Sequence, residues 1–107
     1  MINFLANAQI INFPDANFKA KLLSASPSNS VAKNLAGVYF KIDSNSDGEI
    51  EIIEAEQVKS LDVTYSNILN LLGISNFTNL QQLNCSNNQL TSLDVSACAD
   101  LAALYCS

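Results

Sequence analysis

The sequence predicts an α+β protein, a small helical N-terminal cap running into the first coils of a repeat solenoid with a short parallel sheet. Three observations predict it. Phe18 and Leu22, four residues apart after a capping Asp15, mark a helix near the N-terminus. An apolar pattern recurs at a step of 21 to 22 residues from Val58 onward. Between these regions, residues 43–56 hold six of the ten carboxylates (Asp43, Asp47, Glu49, Glu51, Glu54, Glu56) and no lysine.

The charge distribution sets the chemistry. The 107 residues sum to −5, from five lysines and ten acids. Residues 43–56 contribute −6, so the remaining four acids and five lysines sum to +1. Phosphate binding needs clustered lysine and arginine, so nucleic acid is excluded as the main partner and a cation is favoured. The absence of His removes His-based acid–base catalysis and His-ligated zinc. Fourteen Asn and thirteen Ser suit a fold rich in turns, and no segment is long and apolar enough to span a membrane.

Each element follows in order. Residues 1–8, MINFLANA, end in Ala6-Asn7-Ala8, the small-x-small pattern of a signal-peptidase site. They read as the stump of a signal peptide, with a mature, exported chain from about Gln9. Phe13-Pro14-Asp15 opens a first helix that runs to about Leu23, and residues 24–30 form a turn. A second helix is expected from about Val31 to Phe40, with Leu35, Val38, Tyr39 and Ile42 at helical spacing. Gly37 inside it costs about 1 kcal/mol relative to alanine. A short helix is expected from about Ile52 to Val58.

Residues 43–54, DSNSDGEIEIIE, match D-x-[DN]-x-[DN]-G-x5-E at every specified position, the calcium loop of an EF-hand. Calcium takes six to eight oxygens, and alternate positions turn Asp43, Asn45 and Asp47 inward. Gly48 allows the bend and the Glu49 carbonyl supplies the next ligand. Glu51 acts directly or through water, and Glu54 closes the site with both carboxylate oxygens. Ile50 would anchor the loop to a core. The predicted helix over residues 31–40 would enter the loop, giving an EF-hand-like cap over residues 9–57.

From Val58, Val58-x-x-Leu61-x-Val63-x-x-Ser66-x-Ile68 is matched by Leu80-x-x-Leu83-x-Cys85-x-x-Asn88-x-Leu90 and by Leu101-x-x-Leu104-x-Cys106. This is the leucine-rich-repeat signature, over residues 58–107. Each coil gives one strand to a parallel sheet, and Asn88 serves backbone groups in its bend. A coil cannot bury its apolar side alone, so the sequence reads as the front piece of a longer solenoid. Outward strand positions Ser60, Asp62, Thr64, Gln82, Asn84, Ser86, Ala103 and Tyr105 make a small-polar candidate binding face. Cys85 and Cys106 take equivalent inward positions, where they pack as small apolar residues; a disulfide between neighbouring strands is the second reading. Cys98 is the odd thiol, and with no His to activate it a nucleophilic role is not expected.

With both motifs placed, the chain resembles the N-terminal part of bacterial secreted leucine-rich-repeat proteins of the internalin type. Residues 79–93, NLQQLNCSNNQLTSL, are similar to their repeats, and residues 57–77 resemble their junction between cap and repeats. The resemblance implies a helical EF-hand-like cap fused to a solenoid. It does not imply calcium, since internalin caps lack the metal; calcium rests on the residues of this loop.

The expected function is that of an exported, calcium-stabilised interaction module that binds a protein or glycan. The alternative is a calcium sensor or buffer carried by the repeats. The single loop and the missing methionine groove count against it. No nucleophile–base pair suggests an enzyme.

Overall fold

The structure, a computed structural model, describes residues 9–106; the segment read as a signal-peptide stump lies outside them. Among the described residues, two helices and four strands are arranged in the order α1 (Ala16–Leu23), β1 (Ala32–Asn34), α2 (Ile52–Ala55), β2 (Val58–Asp62), β3 (Gln82–Asn84) and β4 (Ala103–Tyr105). A 3-10 turn at Ile74–Asn76 lies between β2 and β3. The result is a small α+β domain with one four-stranded sheet ordered β1-β2-β3-β4.

Asp15 caps α1 as expected, accepting from the amides of Asn17 and Phe18 at 2.9 and 3.0 Å. The apolar side of the helix is buried through Phe18 and Leu22, both at 0 % exposure. The Phe13 ring meets Phe18 edge-on at 5.3 Å and tilts against Phe77 at 6.4 Å, an arrangement that favours aromatic contact beyond area burial.

The expected second helix is not there. Residues 31–40 form a hairpin instead, with β1 on one side and a Lys33–Tyr39 bridge closing it. Local turn chemistry explains the difference. The Asn34 side chain accepts from the amides of Ala36 and Val38 at 2.9 and 3.1 Å, which competes with helical bonding. Gly37 sits at φ +82°, a left-handed conformation that no helix interior uses. Leu35 and Val38, whose spacing predicts a buried helix face, are about half exposed at the hairpin tip. The acidic loop is therefore entered from a hairpin rather than a helix. On its far side α2 is shorter than expected, ending at Ala55.

The repeat spacing translates into register. Strands β2, β3 and β4 are parallel, with Ser60 beside Gln82 and Gln82 beside Ala103, steps of 22 and 21 residues. Strand β1 pairs antiparallel with β2 and covers that edge of the sheet. Inward positions Leu61, Val63, Leu83 and Cys85 are buried, and they join Val58, Ile68, Phe77 and Leu80 in one core with Phe18 and Leu22. Asn88 serves the bend, and reaches further than expected. Its Oδ1 accepts from the amides of Ser66 and Ile68 at 2.9 and 3.1 Å, and its Nδ2 donates to the Val63 and Cys85 carbonyls at 2.8 and 3.1 Å.

The packing of Cys85 and Cys106 as free residues is also corrected. The two form a disulfide, because equivalent positions of neighbouring parallel strands bring their Cα atoms within 4.7 Å. Cys98 is free and buried, with Sγ 3.6 Å from the Ile74 carbonyl oxygen. Burial, and then the charge of Asp94, push its thiol pKa up, away from the reactive thiolate.

Candidate metal loop and binding face

The acidic loop is held between the N-terminal segment and α2. The amides of Ile11 and Ile52 donate to the carbonyls of Ile50 and Gln9, so residues 9–11 brace the end of the loop. Ile50 anchors it at 0 % exposure, as its sequence position implied. Three of the predicted ligand side chains go inward with it: Asp43, Glu51 and Glu54 are 4, 2 and 6 % exposed.

Backbone amides hold these carboxylates in place. Asp43 accepts from the amides of Asp47 and Gly48 at 3.3 and 3.0 Å, which folds the loop over it. Glu54 accepts from the Glu51 amide at 3.0 Å and, with its other oxygen, from the Ser44 amide at 2.9 Å. One side chain thereby ties the first turn of α2 to the start of the loop. Asn45 lies between, its Nδ2 donating to Glu51 at 3.2 Å and its Oδ1 accepting from the Asp47 amide at 3.3 Å. Glu49 turns its carboxylate outward to Lys19 at 2.6 Å, leaving its carbonyl as the only ligand it was predicted to offer.

Burial and mutual repulsion set the electrostatics of these carboxylates. Burial is the main cause that pushes the Glu51 carboxyl up to about 7; its contacts with Asp47 and Glu54 and their charges push the same way. Asp47, at the surface, is held below the usual carboxylate range by the Glu49 amide and then by Glu51. Among the described residues, no three Asp, Glu or Cys side chains converge closely enough to hold a metal ion as they stand. The donor set nevertheless fits a hard cation in kind: all its atoms are oxygens, and three of its carboxylates are buried.

The outer face of the sheet is the second candidate. A groove of about 330 Å³ runs across it, lined by Ser60, Asp62, Gln82, Asn84 and Tyr105 of the predicted binding face. Thr64, Ser86 and Ala103 do not line the groove. Thr64 bonds Asp62 through its amide and hydroxyl at 3.1 and 2.8 Å, and Ser86 donates its amide to Asn84 at 3.2 Å. Both therefore set the orientation of groove residues. The hairpin adds Ser30, Val31, Lys33 and Tyr39 as one wall, with the Lys33 ammonium 5.1 Å from the centre of the Tyr39 ring. Sequence reasoning missed this wall because it read residues 31–40 as a helix; the Asn34-Leu-Ala-Gly37 turn was the available signal.

Compared against protein families and against curated proteins, the chain matches none. Solved structures do share its fold. A structure of the CBM51-2 and INT domains of Clostridium perfringens ZmpB, in complex with GlcNAc, matches 91 % of the chain at a TM-score of 0.65 and 21 % identity. The internalin inlF of Listeria monocytogenes matches 98 % of it at a TM-score of 0.65 and 22 % identity. The chain spans 17 % and 27 % of the lengths of those two proteins. The likeness establishes a fold shared with an internalin, in agreement with the leucine-rich-repeat spacing read over residues 58–107.

Proposed function

We propose that the chain is the calcium-binding, calcium-stabilised N-terminal part of an exported leucine-rich-repeat interaction protein, which engages a protein or glycan on the outer face of its sheet. The burial of Asp43, Glu51 and Glu54 around one loop carries the reading. Like charges packed away from water repel unless a proton or cation intervenes. Asp43, Asn45, Asp47, Glu51, Glu54 and the Glu49 carbonyl would hold the ion. When bound, calcium supplies the positive charge that lets these groups stay ionised. The role is structural, because the loop sits between residues 9–11 and α2.

The fold shared with an internalin and with a clostridial ZmpB structure supports a bacterial surface or secreted setting. Among the described residues, no helix is long and apolar enough to cross a membrane. No enzymatic role is proposed.

Calorimetry of the chain in EDTA and in millimolar calcium tests the clamp. With calcium at 100 times Kd, mass action stabilises the fold by about 2.7 kcal/mol. An unchanged melting temperature sinks the proposal. Asp43→Asn and Glu54→Gln should each abolish the calcium shift, read alongside direct calcium titration.

A further inference from the structure

We propose that the groove between the hairpin and the sheet is a saccharide site, built for one or two uncharged pyranose rings. The inference rests on the interaction-module reading and names the class of ligand that it leaves open. Size is the first argument. At about 330 Å³ the groove stands at the small end of ligand clefts, which run from about 300 to 1,000 Å³.

The second argument is unspent hydrogen-bonding capacity, fixed in direction. Gln82 accepts at Oε1 from the Ser60 hydroxyl at 2.9 Å, which leaves its Nε2 group as a donor. Asn84 accepts at Oδ1 from the Ser86 amide, which leaves Nδ2 as another. Asp62 accepts at Oδ1 from both Thr64 groups, which leaves Oδ2 as an acceptor. Two amide donors and a carboxylate acceptor on adjacent parallel strands match the alternating donors and acceptors of vicinal hydroxyls. Neighbouring strands stand about 4.8 Å apart, which is also the scale of a sugar ring.

The third argument is the walls. Tyr105 is 60 % exposed at the β4 end and Tyr39 is 39 % exposed on the hairpin. The Lys33 ammonium already lies over the Tyr39 ring, so Tyr105 is the platform left for the C–H face of a sugar. The groove holds one lysine and one aspartate and is therefore electrically balanced, which favours a neutral sugar over an acidic one.

Amide NMR of the isotope-labelled chain in millimolar calcium tests this. Lactose, cellobiose, N,N′-diacetylchitobiose and mannobiose are added to 20 mM, with 3′-sialyllactose as the acidic comparison. At least one neutral sugar should shift the resonances of residues 60–62, 82–84 and 105 in a saturable way. Tyr105→Ala should weaken that binding at least 10-fold, and Asp62→Asn or Gln82→Ala about as much, with the rest of the spectrum unchanged. Silence with every neutral sugar, binding of sialyllactose alone, or equal binding by Tyr105→Ala and Asp62→Asn each overturns the assignment. Failure here is separable from failure of the calcium clamp, which is read by melting temperature with no sugar present. A purified protein partner whose binding is lost in Tyr105→Ala, with every sugar silent, would retain the interaction module and remove the saccharide.

Discussion

Asp15 Oδ2 lies 2.7 Å from the backbone nitrogen of Leu69, fifty-four residues later, and 3.2 Å from that of Asn70. The other oxygen caps α1, so one carboxylate starts the helix and fastens it to the bend after β2. Asn17 adds a second tie, its Nδ2 donating to the Asn67 carbonyl at 3.0 Å. Asp15→Ala removes a helix cap worth about 1 kcal/mol and leaves two further amides without their acceptor, for a total of about 2–3 kcal/mol. For a chain of this size that lowers the melting temperature by roughly 10–20 °C. Asp15→Ser should recover about 1 kcal/mol of the loss, since it restores the cap without reaching Leu69. A serine variant that melts with the wild type would show that the tie to Leu69 contributes nothing.

The same carboxylate gives a pH signature. Burial pushes its pKa up, but the amides of Leu69, Phe18, Asn70 and Asn17 favour the charged form and hold it below the ordinary 3.8. A carboxylate depressed in the folded chain contributes stability that is fully present above the unfolded value of 3.8. That stability is lost as pH falls through 3.8 toward the folded value. Urea unfolding of the wild type and Asp15→Asn should therefore differ most near pH 6, and the gap should narrow below pH 4. A gap that stays constant to pH 2.5 contradicts the assignment.

Parts of this arrangement were legible and parts were not, for physical reasons. The Asp15 cap and the pairing of Ser60 with Gln82 follow from local spacing and from the repeat period, since parallel coils stack equivalent residues side by side. The reach of Asp15 to Leu69 could not be read, because it joins segments that only the fold brings together. The hairpin was misread because Leu35, Val38 and Tyr39 are spaced as a helix face, while Asn34 and Gly37 supply a competing turn whose bonds outweigh that pattern. The groove wall at Lys33 and Tyr39 was lost with it. The acidic loop was legible as a ligand pattern; the inward placement of Glu51 was not separable from that of the outward-turned Glu49.

Two glycines with positive φ should respond differently to alanine. At Gly73, φ +107°, an added Cβ would stand 2.5 Å from Cδ1 of Phe13, whose ring packs on Phe18. Gly73→Ala combines backbone strain with overpacking and should cost about 2–5 kcal/mol. At Gly37, φ +82°, nothing lies within 4 Å of the added atom. Gly37→Ala should therefore cost only about 1–2 kcal/mol, the left-handed backbone penalty. Chemical denaturation of both variants checks the ranking, and a reversed order would exclude the Phe13 contact as the cause.

Asn88 should tolerate neither alanine nor aspartate. Its amide donates to the Val63 and Cys85 carbonyls while its oxygen accepts from Ser66 and Ile68, so both ends of the side chain are used. Asn88→Ala leaves four backbone groups without a partner and should cost about 2–4 kcal/mol. Asn88→Asp keeps the acceptor but turns a carboxylate oxygen toward two carbonyls, and should cost at least as much above pH 5. An aspartate variant as stable as the wild type would show that the donor half of the side chain is dispensable.

Glu51 separates the effect of calcium from that of the fold. Its carboxyl, raised from 4.5 to about 7, binds a proton more readily in the folded chain than in the unfolded one. Its contribution to stability in EDTA is present below pH 4.5 and is lost as pH rises through about 7. Glu51→Gln removes the buried charge, so in EDTA at pH 8 the variant should melt higher than the wild type. In millimolar calcium the order should reverse, because the wild type gains a ligand–cation attraction that the amide supplies only weakly. Melting curves of both chains, each with EDTA and with calcium, give the crossover directly. Parallel responses to calcium in the two chains would take Glu51 out of the ligand set and leave its burial as a cost the fold carries for another reason.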